Sequence, residues 1–388
     1  MTTVILIGGF LGAGKTTLMR RAAAFFAARG KKVGVITNDQ STEMVDTKIF
    51  SQENIPVKEV SGSCFCCNFN GLTESLHSLR TQISAEVIVA ESVGSCTDLS
   101  ATIAQPLKEK CRQDFTLAPM NVVLDPARLR QVFPGLSLPS LAGGDSVSRL
   151  HESAAYIARK QMEEADILLV NKKDALSAED TETVLRLLKK EYPQARVLSI
   201  SALNGDGVED WLETLRQDCS GNPGNKLARV DYDIYAEGEA VLGWLNALVT
   251  LKADDETTGW RHFCEIFMQR LGQTFQEKNA DIGHVKIMLF AQNNRQSLTA
   301  NCVQTGTKAA LSGEAPPAAE VELLVNARVE MPPETLQDIV ESRLKEVCRT
   351  LRLRHSIRAI KSLSPGRPRP TWRYDRVIGQ KTGVRGAV

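Results

Sequence analysis

The chain carries Gly9-x4-Gly14-Lys15-Thr16 directly after the apolar run Val4–Ile7. Glycines let a backbone wrap a polyphosphate with several N–H groups pointing inward. Gly9, Gly12, Ala13 and Gly14 would form that wrap, and a helix starting near Lys15 would add its positive dipole end. Lys15 is expected to reach the β/γ-phosphates, the Thr16 hydroxyl to bind Mg²⁺, and Thr17 to continue the cradle. Asn171-Lys172-Lys173-Asp174 follows a second apolar strand, Ile167–Val170. The Asp174 carboxylate can accept from both N1–H and the 2-amino group of guanine, a donor pair adenine lacks. Ser201-Ala202-Leu203, after the next strand, fits a loop that closes over the base. GTP is therefore favoured over ATP.

Glu91-Ser-Val-Gly94 follows the strand Val87–Ala90. Glu91 is positioned to act on Mg²⁺, and the Gly94 amide to lie near the γ-phosphate. Between these motifs runs the polar, acid-bearing stretch Thr37–Asp46, a candidate switch. Its Asp39 and Asp46 could hold Mg²⁺ or orient the attacking water; the alternative is an ordinary polar loop.

Cys64-Phe65-Cys66-Cys67 follows the strand Val57–Val60. Three thiolates can bind a soft or borderline ion such as Zn²⁺ and leave a fourth position open. Buried structural thiols or a redox pair are the competing readings. Cys96, just past Gly94, is a further candidate ligand, against simple burial. Cys111, Cys219, Cys264, Cys302 and Cys348 are scattered and read as packing residues. His284 and His77 could be distal ligands, but structural roles are favoured for both.

These residues need strands to carry them. Residues 1–218 alternate strand-like and helix-like segments, with strands expected at Val4–Ile7, Val33–Thr37, Val57–Val60, Glu86–Ala90, Met120–Leu124, Ile167–Val170 and Arg196–Ser199. Helices are expected at Leu18–Arg29, Thr73–Ile83, Val147–Glu164 and Glu179–Glu191, and one starting at Asp206 or Gly207 carries Trp211 and Leu215. That alternation predicts an α/β fold: a P-loop NTPase with a mostly parallel, doubly wound sheet. Ligands on such sheets sit beyond the carboxyl ends of the strands. Residues 219–228 read as a linker. Residues 229–363 predict a smaller α+β domain in the order β-α-β-β-β-α, with a ferredoxin-like arrangement in view. Its segments are Arg229–Ile234, Thr257–Lys278, Val285–Ala291, Ser297–Gln304, Glu320–Val329 and Pro333–Leu351. The helix over 257–278 presents Phe263, Ile266, Phe267, Leu271 and Phe275. Residues 364–388 form a basic Pro/Arg-rich tail, read as an extension docked by Trp372 and Tyr374 onto its own domain rather than as a nucleic-acid arm.

Composition narrows the class. At 388 residues, more than one domain is expected, and 43% hydrophobic content supports real cores. The net charge of +1 gives no global pull toward nucleic acid or membrane. From Arg343 onward, however, 13 Lys/Arg face only Glu346 and Asp375. No apolar run is long enough for a transmembrane helix, and the first strand begins at once, so neither membrane insertion nor a signal peptide is expected. Nine cysteines then fit a reducing, cytoplasmic setting.

The glycine loop, the Cys-x-Cys-Cys loop, Glu-x-x-Gly and Asn-Lys-x-Asp, in this order, resemble the CobW-type metal-handling P-loop GTPases. These are relatives of the nickel-inserting GTPases of urease and hydrogenase maturation and of the methylmalonyl-CoA mutase chaperone. The resemblance covers residues 1–218. It implies slow GTP hydrolysis coupled to delivery of a transition metal, Zn²⁺ or Co²⁺, to a client metalloprotein, with a homodimer formed on GTP binding. The family's Gly-Cys-x-Cys-Cys stands here as Ser63-Cys64-Phe65-Cys66-Cys67. Its switch Asn-Glu-Phe-Gly begins here as Asn38-Asp39-Gln40-Ser41, so Asp39 replaces Glu. A histidine-rich stretch is missing. Two other readings compete: a GTP-dependent chaperone or reactivator of a corrinoid (cobalamin)-dependent protein, and a non-catalytic metal sensor or adaptor.

Overall fold

The computed structural model describes residues 1–39, 45–141, 150–217, 222–254, 259–292, 294 and 296–380. The described chain begins with β1 (Thr2–Gly8), α1 (Lys15–Ala28), β2 (Val33–Asn38), α2 (Val45–Gln52), β3 (Val57–Val60), α3 (Phe69–Ile83) and β4 (Val87–Glu91). It continues through α4 (Gln105–Lys110), β5 (Phe115–Leu117), β6 (Asn121–Leu124), α5 (Pro126–Val132), α6 (Glu152–Glu164) and β7 (Ile167–Val170). Next come α7 (Ala178–Glu191), β8 (Arg196–Ser199), α8 (Val208–Gln217) and α9 (Tyr232–Ala240). The last elements are β9 (Gly243–Lys252), α10 (Trp260–Glu277), β10 (Ile282–Phe290), β11 (Ser297–Cys302), β12 (Ala310–Gly313), β13 (Glu320–Val329), α11 (Pro333–Thr350) and β14 (Arg354–Leu363).

Two compact units result. The first comprises Met1–Gln40, Glu53–Gly238 and Arg367–Val388; the second comprises Ser41–Gln52 and Glu239–Gly366. In the first, the strand order is β3-β2-β4-β1-β6-β7-β8, with β5 pairing to the start of β1. Every pairing in it is parallel. The central strands β1, β4, β6 and β7 are covered on both faces, which is why their sequences read as unbroken Val/Ile/Leu runs. The expected doubly wound parallel sheet is present. Because all strands run the same way, β1, β2, β3, β4, β6, β7 and β8 release their loops at one edge. Each candidate motif of this unit begins at such a strand end.

The second unit is an antiparallel sheet in the order β12-β11-β10-β13-β9-β14. With the β11–β12 hairpin set aside, β9-α10-β10-β13-α11-β14 in the spatial order β10-β13-β9-β14 is the ferredoxin-like split βαβ arrangement. Cross-strand pairs Leu245↔Ala327, Ala247↔Val325, Val249↔Leu323 and Leu251↔Val321 build the core face. Onto it α10 lays Phe263, Phe267, Leu271 and Phe275, spaced at helical repeats and all buried. Burial of each such side chain contributes about 1.5–3 kcal/mol. Ile266, expected on the same stripe, is only partly buried.

Three expectations are corrected. Residues 229–234 are not a strand: the Asp231 carboxylate accepts from the Asp233 amide (2.9 Å) and the Ile234 amide (3.3 Å), capping the start of α9. The first strand of the second unit is instead β9, and β14 closes the sheet at its far edge. Trp372 and Tyr374 do dock, but on the first unit: the Lys110 ammonium stands 3.7 Å from the Trp372 ring centroid, and the Tyr374 hydroxyl donates to Glu109. Of the expected helix over 147–164, residues 147–149 lie outside the described residues, and α6 starts after His151, whose ring accepts from the Ser153 amide.

Candidate nucleotide and metal site

The loop after β1 has the backbone the glycines were read to permit. Gly9, Gly12 and Gly14 take φ values of 126°, 76° and 94°. A Cβ on Gly9 would come within 2.2 Å of the Val123 carbonyl oxygen, so the loop can lie flat on β6 only with glycine there. A Cβ on Gly14 would meet the Asn171 amide nitrogen at 2.4 Å. Lys15 and Thr16 open α1, and Thr17 follows them. The Lys15 ammonium donates to the Gly9 carbonyl (2.8 Å) and the Phe10 carbonyl (3.4 Å), closing over the loop's own acceptors.

Glu91, at the end of β4, reaches the same place. Its carboxylate accepts from the Thr16 hydroxyl at 3.0 Å and stands 3.8 Å from the Lys15 ammonium. A hydroxyl and a carboxylate side by side are the hard oxygen donors that Mg²⁺ takes, so the residues present fit that ion. Gly94 holds the β4 loop against the glycine loop: a Cβ there would strike Leu11 at 2.7 Å. The Gln161 amide of α6 fixes this segment by donating to the carbonyls of Gly94 (3.0 Å) and Cys96 (2.7 Å). Neither Leu11 nor Gln161 was marked by the sequence motifs.

The Asn171–Asp174 motif is joined to the glycine loop. The Asn171 side chain donates to the Ala13 carbonyl (2.8 Å) and accepts from the Ala202 amide (2.8 Å), tying β1, β7 and β8 loops into one wall. Asp174 accepts from the Ser201 hydroxyl. Lys172 sits in the left-handed region (φ 60°) and pairs with Asp125 at the end of β6 at 2.5 Å. Asp125 also caps α5 by accepting from the Ala127 amide (2.9 Å). That aspartate was missed; an acid after the apolar run Val122–Leu124 and before Pro126 was its only signal.

At the end of β3, the three thiols of Cys64, Cys66 and Cys67 lie within 4.8 Å of one another. Four thiolates around zinc at about 2.3 Å would stand about 3.8 Å apart. Cys66 and Cys67 are at 3.9 Å already; Cys64 and Cys66, at 2.9 Å, would have to part. Hydrogen bonding from Cys66 and Cys67 pulls the Cys64 thiol well below its usual range, while Cys64 in turn pushes Cys66 up and Cys67 up to about 11. Cys96 is fully buried and hydrogen-bonds toward Cys64 and Cys66. The donor set of Cys64, Cys66 and Cys67 fits a thiophilic ion; Cys96 is not among the three clustered thiols.

Asn38, the last residue of β2, fastens this loop. Its side-chain amide donates to the carbonyls of Val60 (2.8 Å) and Ser63 (2.9 Å), and its oxygen accepts from the Phe65 amide (2.9 Å). Asp39 follows it, with its backbone amide donating to the Val60 carbonyl (3.3 Å). Residues 40–44 of the expected switch lie outside the described residues. Asp46 lies in α2, which belongs to the second unit, where Val45 packs with Met288, Phe290 and Leu324; its side chain lies outside the described residues. His284 exchanges a hydrogen bond with Asn326, and His77 packs edge-on to Phe115 with Asp114 at 3.9 Å.

Residues 3–199 match the family described as CobW/HypB/UreG, nucleotide-binding domain. The chain belongs to that family. Among CobW-type relatives, the zinc-regulated GTPase metalloprotein activator 1 of Dictyostelium discoideum is 27% identical over 215 residues, covering 50% of this chain and 45% of that protein. The zinc chaperone CobW of Pseudomonas aeruginosa is 28% identical over 226 residues, covering 52% and 57% respectively. The chain thus spans about half the length of these curated relatives. A solved structure of Zn(II)-bound YjiA GTPase from E. coli aligns with 88% of this chain and 98% of its own at 18% identity, with a TM-score of 0.36. Among the described residues, no helix is long and apolar enough to cross a membrane.

Proposed function

We propose that this protein binds GTP, hydrolyses it slowly, and couples its nucleotide state to the binding and delivery of zinc through Cys64, Cys66 and Cys67. In this reading Gly9, Gly12, Ala13, Gly14, Lys15, Thr16 and Thr17 hold the phosphates, and Asn171, Lys172, Asp174, Ser201 and Ala202 hold the guanine. Thr16 and Glu91 would hold Mg²⁺, which when bound neutralises charge on the β- and γ-phosphates. Lys15 would leave the Gly9 carbonyl for a phosphate oxygen, and the Gly94 amide would face the γ-phosphate. Asp39 would orient water at the end of β2. Zinc is the cargo and a client metalloprotein its recipient. The names of the zinc-handling relatives support zinc over cobalt.

One observation carries the coupling: the side chain of Asn38 links the strand that leads into the switch with the backbone of the cysteine loop. A γ-phosphate that reorders residues after Asn38 would thereby change thiolate geometry, and by reciprocity zinc would change GTP affinity. The test is zinc affinity, by competition with a chromophoric chelator, with and without a non-hydrolysable GTP analogue, alongside Cys66→Ser. Tight one-to-one binding that needs Cys66 and responds to nucleotide is expected. Identical zinc affinity in both nucleotide states would refute the coupling.

A further inference from the structure

A segment from near the far end of the chain lies across the cysteine loop. The Arg369 amide donates to Cys67 Sγ at 3.2 Å. The Thr371 amide donates to the Cys66 carbonyl at 2.8 Å, and the Thr371 hydroxyl to the Cys67 carbonyl at 3.0 Å. Cys66 and Cys67, the latter the most exposed of the three thiols, are thus gripped by residues about 300 positions away in sequence.

The segment is anchored beyond this point. The Arg373 guanidinium donates to the Asp98 carboxylate at 2.7 Å, and the same oxygen accepts from the Tyr232 hydroxyl at 2.8 Å. Asp98 is fully buried and sits in the left-handed region (φ 64°), so its position is held at some backbone cost. The Tyr374 amide donates to the Ala101 carbonyl (3.0 Å), and the Ile378 amide to the Gln105 side chain (2.8 Å). Asp98 is two residues past Cys96, so the anchor and the candidate fourth thiol share one loop.

We propose that residues 369–374 are a strap whose backbone donors position the cysteine loop and slow exchange of the metal it holds. An N–H donated to a thiolate stabilises its charge and fixes the direction of its lone pairs, as outer-shell partners do for metal ligands generally. A strap across the most exposed thiol also blocks the approach of a recipient's ligand. Transfer to a client then requires the strap to lift, which Arg373 and Asp98 oppose. This inference rests on the reading that the three cysteines hold zinc.

The test uses the full chain. Arg369→Pro removes the N–H that reaches Cys67, at a residue already restricted to extended backbone by Pro370. Arg367→Ala, which removes only an exposed pair with Asp233, is the control. Zinc affinity and the rate of zinc capture by a chelator are measured, together with the rate of Cys67 modification by a maleimide in metal-free protein. Binding of a fluorescent GTP analogue and the thermal midpoint establish that each variant is folded. Arg369→Pro is expected to weaken zinc by about tenfold, to speed capture by a similar factor, and to raise Cys67 modification. Wild-type values for zinc affinity and capture in a folded Arg369→Pro protein would overturn the strap. If the wild-type chain binds no zinc through its cysteines, the functional reading fails on its own, and Cys67 modification alone judges the strap: an unchanged rate overturns it.

Discussion

Replacing Asn38 by alanine should disconnect the cysteine loop from the nucleotide end of the sheet. The substitution removes three hydrogen bonds: two donated to the Val60 and Ser63 carbonyls and one accepted from the Phe65 amide, all between 2.8 and 2.9 Å. Each bond contributes about 0.5–1.5 kcal/mol net, so the set is worth about 2–4 kcal/mol. Asn38 itself is buried, so the abandoned backbone groups are only partly recovered by water. If that energy is what keeps the loop ordered before metal arrives, zinc binding must supply the ordering instead. At about 1.4 kcal/mol per tenfold, the lower end of the range predicts about 30-fold weaker zinc binding. Part of the loss will fall on global stability, so the thermal midpoint must be measured beside the zinc affinity. The decisive readout is the ratio of zinc affinities with and without a non-hydrolysable GTP analogue. In the wild type this ratio should differ from one, and in Asn38→Ala it should return toward one. A variant that stays folded, binds zinc as the wild type does and keeps its nucleotide response would refute the reasoning.

Asp174→Asn should weaken GTP by at least about a hundredfold, since it removes a charge-assisted acceptor for two guanine donors, and should improve binding of xanthosine triphosphate; equilibrium nucleotide titrations decide it. Gly9→Ala should destabilise the fold by several kcal/mol, because its Cβ would lie 2.2 Å from the Val123 carbonyl oxygen; an unchanged denaturation midpoint would contradict the loop geometry. Glu164 is fully buried, and burial raises its carboxyl well above the usual range although the Ser100 amide and Thr97 hydroxyl donate to it. The folded state then holds a proton that the unfolded state releases, so stability should fall as pH rises from the ordinary carboxylate range through the raised value. Glu164→Gln should flatten that part of a pH–stability curve. Cys264 and Cys348, both pushed up to about 12 by burial, should resist iodoacetamide at pH 8 until the protein unfolds; mass spectrometry of the native protein would reveal early labelling if their packing is loose.

The first unit was legible because its chemistry and its secondary structure share the same residues. The apolar runs Val4–Ile7, Val87–Ala90 and Ile167–Val170 are buried strands, and each ends in a polar motif that has no use inside a core. The second unit was read less well for local reasons. In β9, the run from Trp244 to Leu251 is apolar on both faces apart from Asn246 and Thr250, so alternation is faint. In β14 a bulge between Ile357 and Ala359 shifts the period, leaving Ile357 and Ile360 at a spacing that reads as helical. The Asp231 cap was hidden by the alternation of Arg229 to Ile234. In the site, Asn38 was legible only as the start of the switch motif; only the folded register shows that its side chain spans two loops. The tail's docking through Trp372 and Tyr374 was legible, but its anchor was not, because Arg373 finds Asp98 through a fold and not through a pattern.

The division of the chain also sets an order of assembly. The helix that follows β2 is spent on the second sheet, against Met288, Phe290 and Leu324, although it is synthesised some 240 residues earlier. The first unit in turn receives Arg369, Thr371 and Arg373 last of all. During synthesis, the glycine loop and the Asn171–Asp174 loop can therefore form while the thiols are still ungripped and α2 has no sheet to lie on. A nascent chain would be able to hold nucleotide before its cysteine loop has been fastened. Fragments cut at the apparent boundary near residue 238 would remain in that immature condition, and they are the wrong material for testing whether Cys64, Cys66 and Cys67 hold zinc.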